Sequence, residues 1–290
     1  MEFVIENQHL TVKVKDVGAE IISVTAKETG IEYIWQGDEK VWNRHAPILF
    51  PIVGRLKEDT YHYKGTPYHL TQHGFARDSK FHVHERLSDS ITFILQPNER
   101  FLSVYPFLFG LQITYRLFKN ELVVTYKVKN MDEKTMFFSI GGHPGFNVPL
   151  AGETVFTDYA ITIEPAIERE RIFLRGPFVA AEDSRRVNQN HIPLEHGLFA
   201  DDAIIFKAGQ PMTLTLTSTK DSHGVKMTVK DFDYVGIWTK NQSDATYICI
   251  EPWCGLADFT NSDGDIEHKQ AIHSLNAGEK FTAEHKIEFF

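Results

Sequence analysis

The stretch 121-ELVVTYKVK-129 puts Leu122, Val124, Tyr126 and Val128 on one side of an extended chain and Thr125, Lys127 and Lys129 on the other. Side chains alternate with period two along a strand, so this is a half-buried strand with one face on a core and one in water. The pattern recurs. Met212, Leu214 and Leu216 alternate with threonines, and Val225, Met227 and Val229 alternate with Lys226, Thr228 and Lys230. Turn residues separate such runs, at Glu28-Thr29-Gly30, Lys64-Gly65-Thr66-Pro67, Lys119-Asn120, Asp221 to Gly224 and Asn276-Ala277-Gly278. Helical periodicity is scarce: Asn98 is placed to cap one short helix running toward Tyr105, with Pro106 as its stop. Many short strands joined by tight turns predict an all-β protein, a large antiparallel β-sandwich or barrel.

At 290 residues the chain is long enough for a substantial core. No Pro/Ser-rich linker, repeat or low-complexity tract divides it, so a single domain over residues 1–290 is expected. The polar interval Glu164 to His196 reads as a long excursion over one sheet. A net charge of −9 without any basic block argues against a nucleic-acid partner. The N-terminus lacks the basic and apolar regions of a signal peptide, and no apolar run reaches membrane-spanning length; a cytoplasmic location without membrane contact is expected. Cys249 and Cys254 read as reduced, buried thiols. The 22 Phe, 10 Tyr and 4 Trp suit sheet packing and, in a cleft, stacking against sugar faces.

Four places set reactive side chains inside apolar, Gly/Pro-punctuated sequence. In Ile140 to Pro149 (IGGHPGFNVP) a strand-like run stops in two glycines and His143, and Pro144 stiffens the turn so that the imidazole is aimed. A hydrogen-bonded structural histidine would fit the same turn. In Thr246 to Gly255, Glu251 follows a continuous apolar run, where a carboxylate either finds a partner or has its pKa raised, as a general base near neutrality requires. Pro47 to Leu56 ends in Gly54-Arg55, a guanidinium able to clamp hydroxyls or an anion, or equally to cap a strand in solvent. Gln72, His73 and Arg77 bring an amide, an imidazole and a guanidinium into six residues around Gly74. His82-Val83-His84 would put two rings on one strand face, as a metal chelate needs, but no glutamate completes a ligand set; no metal is expected. Serine-hydrolase, P-loop, zinc-protease and dinucleotide signatures are absent, and no cofactor is expected.

Taken in order, FPIVGRL, QHGFAR, GGHPGFNVPL, LFADDAIIF and ICIEPWCG resemble the aldose 1-epimerases, or mutarotases, and within them the LacX-like branch close to the hexose-6-phosphate epimerases. The resemblance spans most of the chain. It implies a single galactose mutarotase-like β-supersandwich, no metal or organic cofactor, and a small-molecule sugar as partner. It makes His143 the acid that protonates the ring oxygen and Glu251 the base that takes the C1 hydroxyl proton, His143 acting as imidazolium and Glu251 as carboxylate. Arg55, His73 and Asp202, chosen over Asp201, would bind sugar hydroxyls, and Gln72 and Arg77 match positions lining the site of the phosphate-specific relatives. Those relatives carry an arginine slightly before the PILFP-like run, and Arg44 is displaced from that place by one residue. The implied function is interconversion of the α and β anomers of a hexose or hexose 6-phosphate. The alternatives are a non-catalytic sugar-binding protein on the same scaffold and a glycosidase using Asp202 with Glu251.

Overall fold

The computed structural model describes residues 1–209, 211–240 and 246–290. Two large antiparallel sheets dominate it. The first has nine strands, in the order His191–Pro193, Tyr159–Glu164, Met212–Ser218, Gly224–Val229, Lys280–Phe289, Glu121–Asn130, Phe109–Phe118, Ser90–Leu95 and His82–Arg86. The second runs Phe178–Val187, Arg169–Arg175, Ile204–Lys207, Tyr234–Trp238, Tyr247–Cys254, Ile140–Gly142 and Ile48–Leu49, with Gly145–Asn147 also paired to Tyr247–Cys254. Small sheets of three, two and two strands flank them. Among the described residues no helix is long and apolar enough to cross a membrane.

The alternation read from the sequence is the alternation of burial. Leu122, Val124, Tyr126 and Val128 are buried while Lys127 and Lys129 are exposed, and Met212, Leu214, Leu216, Val225, Met227 and Val229 all enter the core. Each such side chain contributes about 1.5–3 kcal/mol by leaving water. Lys119-Asn120 closes the hairpin that pairs Phe118 with Glu121, and Lys64-Gly65 closes the one that pairs Tyr63 with Thr66. Strand Tyr247–Cys254 is buried at every position because both of its faces are covered. Ile248, Ile250 and Cys254 point into the core between the sheets, whereas Cys249 and Trp253 pack in separate clusters on the other face. Cys249 and Cys254 are therefore on opposite faces of one strand, both free thiols.

Two expectations change. The interval Glu164 to His196 is not a loop: Arg169–Arg175 and Phe178–Val187 form a hairpin that extends the second sheet at its edge. Its outward positions carry arginines and acids paired in water, as in Arg175 with Asp183 at 2.9 Å, and these masked the strand pattern. The capped helix does form, with the Asn98 side chain accepting from the Phe101 N–H at 3.0 Å, but it spans only Glu99–Leu102. Burial of Phe101, Tyr105 and Phe107, and a bond from the Tyr105 hydroxyl to the Phe137 carbonyl at 2.7 Å, draw the chain off the helical path before Pro106.

One inward position of Lys280–Phe289 is a histidine. His285 is buried, its Nδ1 has no hydrogen-bond partner among the described residues, and burial pushes its pKa down to about 3. The unfolded chain takes up a proton near 6.5 that the folded chain refuses, so His285 costs stability increasingly as pH falls below 6.5 and until the folded value is reached. Relative to a His285→Leu variant, the wild-type protein should lose up to about 1.4 kcal/mol per pH unit in that window. Urea midpoints of the two proteins should diverge on acidification; parallel midpoints would show that His285 is not held neutral.

Candidate active site

His143 and Glu251 meet because of strand register. Ile140 and Gly141 pair with Cys254 and Trp253, and Gly145, Phe146 and Asn147 pair with Cys249, Ile248 and Tyr247. The register is the same on both sides of the interruption at Gly142 to Pro144, so His143 lies directly opposite Glu251 as a cross-strand pair. Pro144 has no N–H to offer, yet its carbonyl still accepts from Ile250 N at 3.3 Å. On its other side Glu251 pairs with Gly236, which has no side chain to crowd it.

The His143 Nε2 and Glu251 Oε2 atoms are 3.1 Å apart. Among the described residues, Glu251 Oε2 and His143 Nδ1 have no well-aligned hydrogen-bond partner. Buried polar atoms left so are uncommon outside sites that act on something else. Burial pushes the His143 pKa down to about 3, with the Arg77 and Arg44 charges adding to the effect. Burial also holds the Glu251 carboxyl well above its ordinary range, and the Asp202 carboxylate reinforces this. Burial thus disfavours the charged form of each group, and in the free cleft it works against the imidazolium and carboxylate that the resemblance implies, because a dry site penalises both charges.

Around the pair opens a cleft of about 720 Å³. All seven residues singled out from the sequence line it: His143, Glu251, Arg55, Gln72, His73, Arg77 and Asp202. Arg55 Nη2 donates to Gln72 Oε1 at 3.4 Å. His73 is clamped to Gly54 twice, its N–H donating to the Gly54 carbonyl at 2.8 Å and its Nδ1 accepting from the Gly54 N–H at 3.1 Å. Burial keeps this ring neutral, so its remaining donor is Nε2–H. Its ring stands edge-on to His143 with centroids 5.6 Å apart. Asp202 sits at φ 73, and burial raises its pKa. Asp201 does not line the cleft; with Arg171 and Arg185 it lines a second depression, which Asp202 borders too.

The sequence reading passed over part of the lining. Trp42 and Trp238 form aromatic walls, and Trp42 belongs to a pillar of four rings. Trp35 stacks on Tyr247 at 4.8 Å, Tyr247 on Trp42 at 5.3 Å, and Trp42 lies 5.0 Å from His143 at a tilt of 30°. Arg44, set aside as displaced by one residue, also lines the cleft, with its Nη2 3.0 Å from Asp78 Oδ1. Lys240 lines it too, tied to the Val41 carbonyl at 2.8 Å. The loop bearing Trp42 and Arg44 is pinned by the buried Glu20 carboxylate, which accepts from the N–H groups of His45 and Ala46 at 2.8 and 3.0 Å. The tryptophan and arginine in WNRHAP were the only signal for this wall.

Comparison with known proteins points the same way. The family model described as aldose 1-epimerase matches residues 1–288. The chromosomal LacX protein of Lactococcus lactis subsp. lactis is 32% identical over 283 residues, covering 94% of each chain. A galactose mutarotase related enzyme from Lactobacillus acidophilus is 40% identical with a TM-score of 0.98, covering 100% of this chain and 97% of its own. A galactose mutarotase-like protein from Lactobacillus casei is 34% identical with a TM-score of 0.93 and full coverage of both chains. The fold is thus the galactose mutarotase-like one, and the chain belongs to the aldose 1-epimerase family, in the branch that includes LacX.

Proposed function

We propose that the protein interconverts the α and β anomers of an aldohexose by acid–base opening and reclosure of the ring. The observation that carries this reading is the His143–Glu251 pair, 3.1 Å apart and buried at the floor of a sugar-sized cleft. Opening a hemiacetal requires a proton on the ring oxygen while one leaves the C1 hydroxyl. Both oxygens are bonded to C1, so the two groups that serve them must be close neighbours. Side by side, as this pair is, they reach both oxygens from one edge of the ring.

Opening proceeds from the form in which the pair's proton has passed from Glu251 to His143 across their 3.1 Å contact: His143 gives that proton to the ring oxygen and Glu251 takes the C1 hydroxyl proton. What remains is a neutral imidazole and a carboxylic acid beside an open aldehyde. That distribution is the one burial favours in the free cleft, so the site matches the opened state. Rotation about C1–C2 presents the other aldehyde face, and the reverse transfers close the ring. Arg55, Gln72, His73 and Asp202 hold the hydroxyls, and Trp42 and Trp238 offer apolar walls.

The pair works with one proton, and the directions of the two shifts set its pH range. A second proton adds to His143 only near 3, and the single proton leaves only well above the ordinary carboxylate range. The exchange rate should therefore show no acid limb at the usual histidine value and should fall on acidification only toward pH 3. A fall centred near 6.5 would overturn this account of the pair.

Among the described residues Arg44 and Arg77 have Asp78 as their one ion-pair partner, at 3.0 and 3.7 Å, and Arg77 Nε has no hydrogen-bond partner. Arg55 and Lys240 line the cleft with them, and these four cations favour a 6-phosphate over a free hexose. Two-dimensional exchange NMR on galactose, glucose and their 6-phosphates tests the reading: acceleration for at least one supports it, highest with a phosphate if these cations are used. No acceleration for any would overturn it.

A further inference from the structure

We propose that Asp233, Cys254 and His273 form a binding site for a thiophilic divalent cation of the zinc class at the rim of the sandwich. A carboxylate oxygen, a sulfur and an imidazole nitrogen lie within 4.8 Å of one another there. This mixed donor set suits zinc, and its three protein ligands leave a fourth position for water.

Backbone structure holds the three residues in place. Cys254 ends strand Tyr247–Cys254, Asp233 immediately precedes the neighbouring strand Tyr234–Trp238, and the Asp233 N–H donates to the Trp253 carbonyl at 3.0 Å. His273 opens the short strand His273–Leu275. Its Nε2 is 2.6 Å from Asp233 Oδ2, and its ring packs against Phe281 and Phe138 with centroids 5.1 and 5.8 Å away. The site is closed at the sulfur, which is buried, and open at the other side, where the His273 and Asp233 side chains are 28% and 45% exposed. An ion can therefore enter from solvent and reach the thiol at the back.

Charge supports the same reading. Among the described residues neither Asp233 nor Asp231 has a lysine or arginine partner in an ion pair. With no cation near, the buried Cys254 Sγ–H donates to the Asp231 carbonyl at 3.5 Å. A dication reverses this. It displaces the thiol proton to solvent, takes the sulfur as thiolate, and is neutralised by the thiolate and the Asp233 carboxylate together, with neutral imidazole as third ligand.

Another triad within 4.8 Å joins His143 and Glu251 of the cleft to the buried Cys249, and the test must separate the two. The probe is Co²⁺ added to the metal-free, full-length protein under reducing conditions. The expected result is a thiolate-to-cobalt charge-transfer band in the near ultraviolet that survives Cys249→Ser, disappears in Cys254→Ser and is removed by Zn²⁺. His273→Gln and Asp233→Asn should each weaken Co²⁺ binding by about tenfold or more. Zn²⁺ should also raise the Tm of the wild-type protein and of Cys249→Ser but not of His273→Gln. Absence of the band from the wild-type protein, its persistence in Cys254→Ser, or its loss in Cys249→Ser alone would overturn the proposal.

Discussion

Glu251→Gln is expected to lower protein-accelerated anomer exchange by about 10²–10⁴-fold, the usual contribution of a positioned acid or base. Glutamine keeps the shape and the contacts of the carboxylic acid but cannot take the C1 hydroxyl proton. The same change should stabilise the fold. The folded pKa of Glu251 lies above its unfolded value of 4.5, so the stability linked to its proton is fully present below 4.5 and is lost as pH rises toward the folded value. Glutamine has no such proton to lose, and the variant should gain on the wild-type protein above pH 4.5. Lost activity with raised stability marks a functional group held at a cost, whereas a structural carboxylate would lose stability on substitution. His143→Asn should lower exchange by a similar factor. Because the two side chains act as a unit, the double variant should be little worse than either single one. Polarimetry and thermal melts on the three variants check all of this; wild-type exchange rates in both single variants would refute the catalytic assignment.

Gly74→Ala should cost about 2–5 kcal/mol, the sum of a left-handed backbone penalty and an overpacking term. Gly74 sits at φ 69, and an added Cβ would lie 2.4 Å from the Phe50 carbonyl oxygen. Backbone cannot rotate aside as a side chain would. Phe75 and Ala76 both donate to that same carbonyl, at 3.0 and 3.1 Å, and Phe50 N donates to the His73 carbonyl at 3.2 Å. Pushing the two segments apart therefore breaks the crossing that seats His73 against Gly54. The variant should melt well below the wild-type protein, and whatever folds should bind sugar poorly. Gly65→Ala is the matched control, since Gly65 has φ 78 but nothing within 4 Å of the added methyl. If the two variants lose equal stability, the close approach at Phe50 contributes nothing.

The strands were legible because their burial is one-sided: Leu122 to Val128 announces its inner face by alternation. The hairpin from Arg169 to Val187 was not, because an edge strand whose outward positions are charged and partly paired in water resembles a polar loop. His143 and Glu251 were each conspicuous as polar groups in apolar surroundings. Their contact was not, since it depends on a register shared by Tyr247–Cys254 with two strands on either side of Pro144, and register is a property of the pairing. Their proton distribution was likewise hidden, because it follows from how much water the loops exclude. Trp42 as a wall, and the place of Arg44 in the cleft, were hidden for a related reason: a buried carboxylate some two dozen residues earlier, Glu20, fixes the loop that carries them.

The ring pillar ending on His143 gives the molecule an intrinsic optical reporter. Trp42 lies against the imidazole, and a protonated imidazole is an efficient quencher of indole emission whereas a neutral one is a poor one. Of the four tryptophans, Trp42 and Trp238 lie against this ring, so their share of the unlabelled protein's fluorescence follows its charge, and stopped-flow mixing with a sugar would time the arrival of ligand beside it.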